Sequence, residues 1–221
     1  MRKYVVMLGV ALAFLAFAGF SGAVELAVTT DAALEGTYGL GVTFDGASTN
    51  TAYVHDDSPN DETVYRFQFR AELNDFDSLP GDIFYIVTAR SPAPNNLIRV
   101  WIRKRTDGSG LYQLRVITRR DSGSSDNRWT QVGGAGFGGN STWEVEWTQA
   151  SAAGANDGRL WLWKNGGLIA DSGATLDNDE RGIGDIRMGH TNQINVTGNI
   201  ATGTTGTLNF DSFESYRTLR P

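Results

Sequence analysis

From Tyr38 onward, apolar and polar residues alternate with a period of two. In the segment 62–73 (ETVYRFQFRAEL), Thr63, Tyr65, Phe67, Phe69, Ala71 and Leu73 fall on one side of an extended chain. Val64, Arg66, Gln68, Arg70 and Glu72 fall on the other. This is the signature of a half-buried β-strand, because successive side chains of a strand point to opposite faces. Segment 82–90 (DIFYIVTAR) is apolar on both sides and predicts a strand in the middle of a sheet. Segments 96–105 (NLIRVWIRKR) and 110–119 (GLYQLRVITR) flank Thr106-Asp107-Gly108-Ser109, a hairpin turn. The hairpin places Ile98, Val100 and Ile102 beside Tyr112, Leu114 and Val116 on an inner face. Arg99, Trp101 and Arg103 then lie beside Gln113, Arg115 and Ile117 outside.

The same alternation returns in 141–150 (STWEVEWTQA), with Trp143, Val145 and Trp147 opposed to Glu144 and Glu146. After a turn at Ala155-Asn156-Asp157-Gly158, Leu160 and Leu162 share one face and Arg159, Trp161 and Trp163 the other; Asn165-Gly166-Gly167 makes the next turn. Segments 184–190 and 207–219 supply the last strands. Residues 24–37 read as a leader, mildly helical or irregular, and 133–139 (GGAGFGG) as a flexible loop. Many short strands with turns every 8–15 residues predict an all-β fold, a two-sheet antiparallel jelly-roll sandwich over residues 38–221.

Residues 1–23 follow a different pattern. Arg2 and Lys3 precede an uncharged, almost wholly apolar run from Val5 to Ala18, and Ser21-Gly22-Ala23 ends it with small residues. That order is a cleavable secretory signal peptide. It predicts a secreted or cell-surface protein with no stable membrane insertion after cleavage. The chain has no cysteine. In an export route that permits disulfides, this points to a core that suffices without cross-links, and it excludes thiolate chemistry. With 19 basic and 25 acidic side chains the chain carries −6, and losing Arg2 and Lys3 makes it −8. Such a chain is a poor non-specific partner for nucleic acid or anionic lipid.

The segment from Trp143 to Phe213 resembles the concanavalin A-like lectin/glucanase superfamily in its laminin-G-like branch. The pieces that carry the resemblance are Trp143-Glu-Val-Glu-Trp147, the run from Gly158 to Gly166, the run from Leu176 to Gly189, and the run from Gly206 to Ser215. Tyr53-Val54-His55-Asp56-Asp57-Ser58-Pro59, with Glu62, Tyr65 and Arg66, is similar to the opening strands of bacterial secreted members. The resemblance implies the sandwich fold and leaves lectins, hydrolases and adhesion modules open. It also implies one structural Ca²⁺ between the N-terminal and last strands, matching Asp211, with Asp45 as partner.

Three constellations bear on chemistry. Glu144 and Glu146 project from one strand face, as the two carboxyls of a retaining glycosidase would at about 5 Å. The glucanase branch adds a third acid on that strand, and here Thr148 and Gln149 follow instead. The alternative is a pair of acids matched across the sheet by Arg99, Arg115 or Arg119. Trp101, Trp161 and Trp163, with Arg99, Arg103 and Arg115, would form a sugar-binding platform if they shared a face. Indoles stack on sugar C–H faces, while guanidinium groups and Glu144 and Glu146 bind hydroxyls. Asp177 to Gly182 mimics the start of a calcium loop but has Arg181 at its fifth position and reads as a polar turn. His55 and His190 have no metal-ligand spacing, and no phosphate loop is present. The function expected from the residues is non-catalytic binding of a carbohydrate or envelope polymer. A structural or adhesion module of a self-assembling extracellular layer and a glycoside hydrolase are the alternatives.

Overall fold

A computed structural model describes residues 24–47, 50–93, 95–122, 129–194 and 203–221. Residues 1–23, the expected signal peptide, lie outside the described residues. Among those described the fold is a jelly-roll sandwich of thirteen strands and no helix. They are β1 (Glu25–Thr29), β2 (Gly39–Asp45), β3 (Ala52–Asp56), β4 (Val64–Glu72), β5 (Ile83–Arg90), β6 (Asn96–Lys104) and β7 (Tyr112–Arg119). The chain continues with β8 (Trp129–Phe137), β9 (Ser141–Thr148), β10 (Arg159–Lys164), β11 (Gly167–Asp171), β12 (Asp185–Ile194) and β13 (Thr205–Tyr216). Seven strands form one sheet in the order β1-β2-β13-β4-β9-β10-β11, and six form the other in the order β3-β12-β5-β6-β7-β8. Every named pairing is antiparallel.

The core is the layer between the sheets. From the seven-stranded sheet, Tyr65, Phe67, Phe69, Trp143, Val145, Trp147, Leu160, Leu162 and Phe210 turn inward and are buried. The six-stranded sheet answers with Phe84, Ile98, Val100, Ile102, Leu114 and Val116. Each large side chain taken from water stabilises the fold by roughly 1.5–3 kcal/mol before entropy is counted, so this layer drives the sandwich. The hairpin β6–β7 keeps the expected inner and outer faces, with Trp101 opposite Arg115, Arg99 opposite Ile117 and Val100 opposite Val116, while Ile98 faces Thr118 and Tyr112 faces Lys104. The turn between β10 and β11 is the two-residue type that matches strand twist: Asn165 and Gly166 both take positive φ, at 50° and 79°.

Two local expectations are corrected. The leader forms a strand, β1, which pairs with β2 from Glu25↔Thr43 to Thr29↔Gly39. It pairs with β2 at the edge of the seven-stranded sheet. The glycine run lies largely within β8, an edge strand whose Gly133, Gly134 and Gly136 face Val116, Arg115 and Gln113 of β7. No helix among the described residues is long and apolar enough to cross a membrane.

Candidate functional site

The outer face of the six-stranded sheet is shaped by two neighbouring irregularities. In β5 the register against β6 shifts between Tyr85 and Val87, so Ile86 has no partner of its own. In β12 it shifts between Met188 and Asn192 against the same stretch of β5. Gly189, His190 and Thr191 fill that bulge, and Gly189 takes φ 129° with its Cα hydrogens against the Ala52 carbonyl, where a Cβ would sit 2.6 Å from the oxygen. Bulges re-aim side chains, and here they put Tyr85 and Thr88, three residues apart, on one face. Thr191 fastens the arrangement. Its hydroxyl donates to the Tyr85 carbonyl at 2.8 Å and lies 2.7 Å from the Thr88 hydroxyl.

The result is a depression of about 250 Å³, lined by Tyr85, Thr88, Arg90, Asn96, Arg99, Arg187, Thr191 and Asn192. Three guanidinium groups converge on it with no carboxylate in its lining. Aromatic rings hold the arginines. Arg99 lies between Tyr85, 5.0 Å from its ring centre, and Trp129, 4.2 Å away. Arg187 lies 4.6 Å over Tyr53, and Arg103 and Arg115 lie 5.7 and 5.6 Å over Trp101. Burial pushes the Arg99 guanidinium below its usual range; its hydrogen bond to Tyr85 opposes this and the Arg119 charge adds to it. Burial, then Arg103, does the same to Arg115. Arginine stays charged under such shifts. Beyond Arg115 the face opens into a groove of about 590 Å³ over β7 and β8, with Arg105, Gln113, Arg115 and Gln131 on its walls beside Gly134 and Gly136. Guanidinium groups can grip carboxylates in pairs of charge-assisted hydrogen bonds, which is the chemistry this strip offers.

The expected site residues divide between the two sheets. Arg99, Trp101 and Arg115 share the basic face just described. Trp161, Trp163, Glu144 and Glu146 lie on the outer face of the other sheet, where Trp161 pairs with Glu146 and Trp163 with Glu144. The single platform of three tryptophans is therefore corrected: alternation assigns a face within a strand but does not say which sheet the strand joins. Trp101 is only 6% exposed and serves as the bed for two arginines, not as an open stacking surface. The proposed partners of the two acids are corrected as well. Glu144 meets Arg66 at 3.4 Å and Arg220 at 3.8 Å, and Glu146 accepts the Arg220 backbone N–H at 2.8 Å. The C-terminal residues thus cover both carboxylates, an arrangement unlike a glycosidase pair open to substrate.

Asp45 and Asp211 do not meet. Asp45 is opposite Thr205 and Asp211 opposite Arg70, so six residues of β13, about 20 Å, separate them. Asp211 instead accepts the backbone N–H groups of Leu34 and Glu35, at 2.9 and 2.7 Å, and of Ser212 at 2.6 Å. Asp45 accepts that of Ala47 at 3.0 Å. The turn at Asp177 and Asp179 approaches Asp121, whose carboxyl burial pushes up and which accepts the Glu180 N–H. Sequence reasoning missed Tyr85, Arg90, Arg187 and Asn192. Alternation across 82–90 would have flagged Tyr85, but the bulge breaks the parity that links it to Thr88 and Arg90.

No protein-family model and no curated protein sequence matches the chain. Solved structures do match. An endo-β-1,4-glucuronan lyase from the fungus Trichoderma reesei superposes with a TM-score of 0.61 at 14% identity, over 86% of each chain. An alginate lyase in complex with alginate trisaccharide gives 0.57 at 15%, over 83% of this chain and 84% of that one. The cellulose-induced protein Cip1 gives 0.54 at 15%, over 90% and 87%. At such identities the likeness establishes the fold alone, a jelly-roll β-sandwich. The same finding overturns the expected non-catalytic recognition module, and it does not favour a glycoside hydrolase: the neighbours named for an activity are polysaccharide lyases.

Proposed function

We propose that this protein is an exported polysaccharide lyase that cleaves a uronate-bearing polymer by β-elimination, a lyase-like rather than laminin-G-like member of the superfamily. The observation that carries the reading is the acid-free depression in which Arg90, Arg99 and Arg187 converge around Tyr85. The lyases that share the fold act on glucuronan and alginate, which supports the substrate class. The signal-like residues 1–23 support export, where such polymers are met.

The chemistry asks for few groups. In a uronate the C5 hydrogen lies next to the carboxylate, and its removal leaves negative charge that spreads onto the carboxylate oxygens. Fixed guanidinium groups stabilise that charge as it grows, the largest contribution an enzyme site of this kind makes. Arg90 and Arg187 take this role. Tyr85 is the phenol in the lining, under the Arg99 guanidinium, and carries the proton transfer. The C5 proton passes to the Tyr85 oxygen, the C5–H electron pair becomes the C4–C5 double bond, the C4–O bond breaks with its pair, and the departing oxygen takes the proton from Tyr85.

The test is ultraviolet absorbance of the unsaturated product when purified protein is mixed with glucuronan, alginate or a neutral β-glucan. Turnover is expected on a polyuronate and not on the neutral polymer. Tyr85→Phe should lower kcat by roughly 10²–10⁴-fold while leaving KM within a few-fold. Absence of turnover on every polyuronate, or a Tyr85→Phe protein with undiminished kcat, would sink the proposal.

A further inference from the structure

Within the strands that line this face, β5 to β8 and β12, one acidic residue occurs: Asp185, the first residue of β12. It stands directly opposite Arg90 on β5, and Arg187 follows two residues later on the same side. Its carboxylate lies 3.6 Å from Arg90 and 3.6 Å from Arg187. His55, opposite Arg187 on β3, lies 3.8 Å away on the far side. Asp185 is largely buried, with 17% of its side chain exposed, and it does not line the depression, whereas both arginines do. Two guanidinium groups this close repel each other and would otherwise swing apart into solvent.

We infer that Asp185 is a positioning residue: its carboxylate, set behind the rim, holds the heads of Arg90 and Arg187 toward the depression so that both can engage one substrate carboxylate. The inference rests on the lyase reading for its substrate and adds a residue that acts only through the arginines. It makes a prediction opposite in sign to simple charge attraction. Asp185→Asn removes a negative charge from a face that binds an anion, so attraction alone predicts tighter binding and undiminished turnover. Positioning predicts the reverse, because displacing a charge-stabilising group by about 1 Å is enough to cost up to 10²-fold.

The experiment compares wild type, Asp185→Asn and Asp185→Glu for kcat and KM on the polyuronate that wild type cleaves, and for polyuronate affinity by calorimetry. Positioning is supported by a kcat in Asp185→Asn at least about tenfold below wild type, weaker affinity, and partial recovery of both in Asp185→Glu. It is overturned by Asp185→Asn binding as tightly as wild type or tighter with kcat intact. A double-mutant cycle guards against a merely structural effect: in an Arg90→Gln background Asp185→Asn should cost markedly less than it does alone, since neighbours acting through one another are not additive. Full additivity overturns the inference, and if Asp185→Asn fails to fold, the same cycle with Asp185→Glu decides. Should wild type turn over no polyuronate, the lyase reading fails by itself, and calorimetric affinity still tests Asp185: weaker binding in Asp185→Asn sustains it, and equal or tighter binding removes it.

Discussion

At the scale of single residues, His190 shows how burial sets chemistry. It turns inward from the bulge of β12, 1% exposed, with its ring edge-on to Phe44 at 5.1 Å and near Phe84 at 6.0 Å. Its Nδ1 lies 2.8 Å from the Asn50 carbonyl, which can only accept, so Nδ1 carries the hydrogen and Nε2 the lone pair. Burial pushes the imidazole down to about 4, and the bond to Asn50 only partly opposes it. The ring is therefore neutral in the folded protein at neutral pH. Between about pH 6.5 and about pH 4 the unfolded chain binds a proton there that the folded chain refuses. Stability contributed by this site is therefore complete above that window and falls as pH is lowered through it, by up to about 3 kcal/mol. Urea midpoints at pH 7 and pH 4.5 check this. Wild type should lose markedly more stability across the interval than His190→Phe, whose ring keeps the volume without the titration; equal losses would show that carboxylates elsewhere dominate.

At the scale of elements, the strands differ in how openly their sequences declare them. The β6–β7 hairpin was legible in its inner and outer faces, because its turn residues and alternation are both intact, but not in every cross-strand partner: Ile98 faces Thr118 and Tyr112 faces Lys104. The inward set of β9, Trp143, Val145 and Trp147, was legible for the same reason. β5 was only half legible: its position between two strands follows from its apolar composition, but one unpaired residue, Ile86, redirects Tyr85 relative to Thr88, and no local pattern announces it. β8 was missed because a period of two is invisible where the side chains are glycine. The glycines of β8 nonetheless differ physically. A Cβ on Gly134 would sit 2.1 Å from the Leu114 carbonyl oxygen, whereas one on Gly136 would meet nothing within 4 Å. Gly134→Ala should thus cost about 1–3 kcal/mol of stability, as other overpacked positions do. Gly136→Leu should fall within about 0.5 kcal/mol of wild type. Because Gly136 lines the groove, the leucine should still raise KM for long polymers more than for trisaccharides. Thermal melts and the ratio of the two KM values test both halves.

At the scale of the whole molecule, charge is distributed against its own total. The chain carries −6, yet the outer side of the six-stranded sheet presents Arg90, Arg99, Arg103, Arg115, Arg119 and Arg187 against Asp185. On the other sheet, Glu144 and Glu146 are spoken for by Arg66 and the C-terminal residues, and Glu214 lies beside Gln68 and Tyr216. None of this segregation could be read from the chain, since composition reports a sum and alternation reports only parity. It depends on which strands assemble into which sheet, a choice made by the shape of the core. A net-negative molecule with a positive strip repels a polyanion at long range and attracts it at short range, and salt screens both. Raising ionic strength from 0.1 M to 1 M shortens the screening length from about 10 Å to about 3 Å, which removes the attraction between exposed charges while sparing contacts inside the depression. KM for a polyuronate should therefore climb steeply over that range while kcat changes little. Arg115→Gln, in the open groove, should flatten the climb, because it removes one of the screened charges. Trp161→Ala, on the opposite sheet, should leave both KM and its salt slope at wild-type values. A Trp161→Ala protein that binds the polymer poorly at every salt concentration would return the site to the seven-stranded face and dismiss the basic strip.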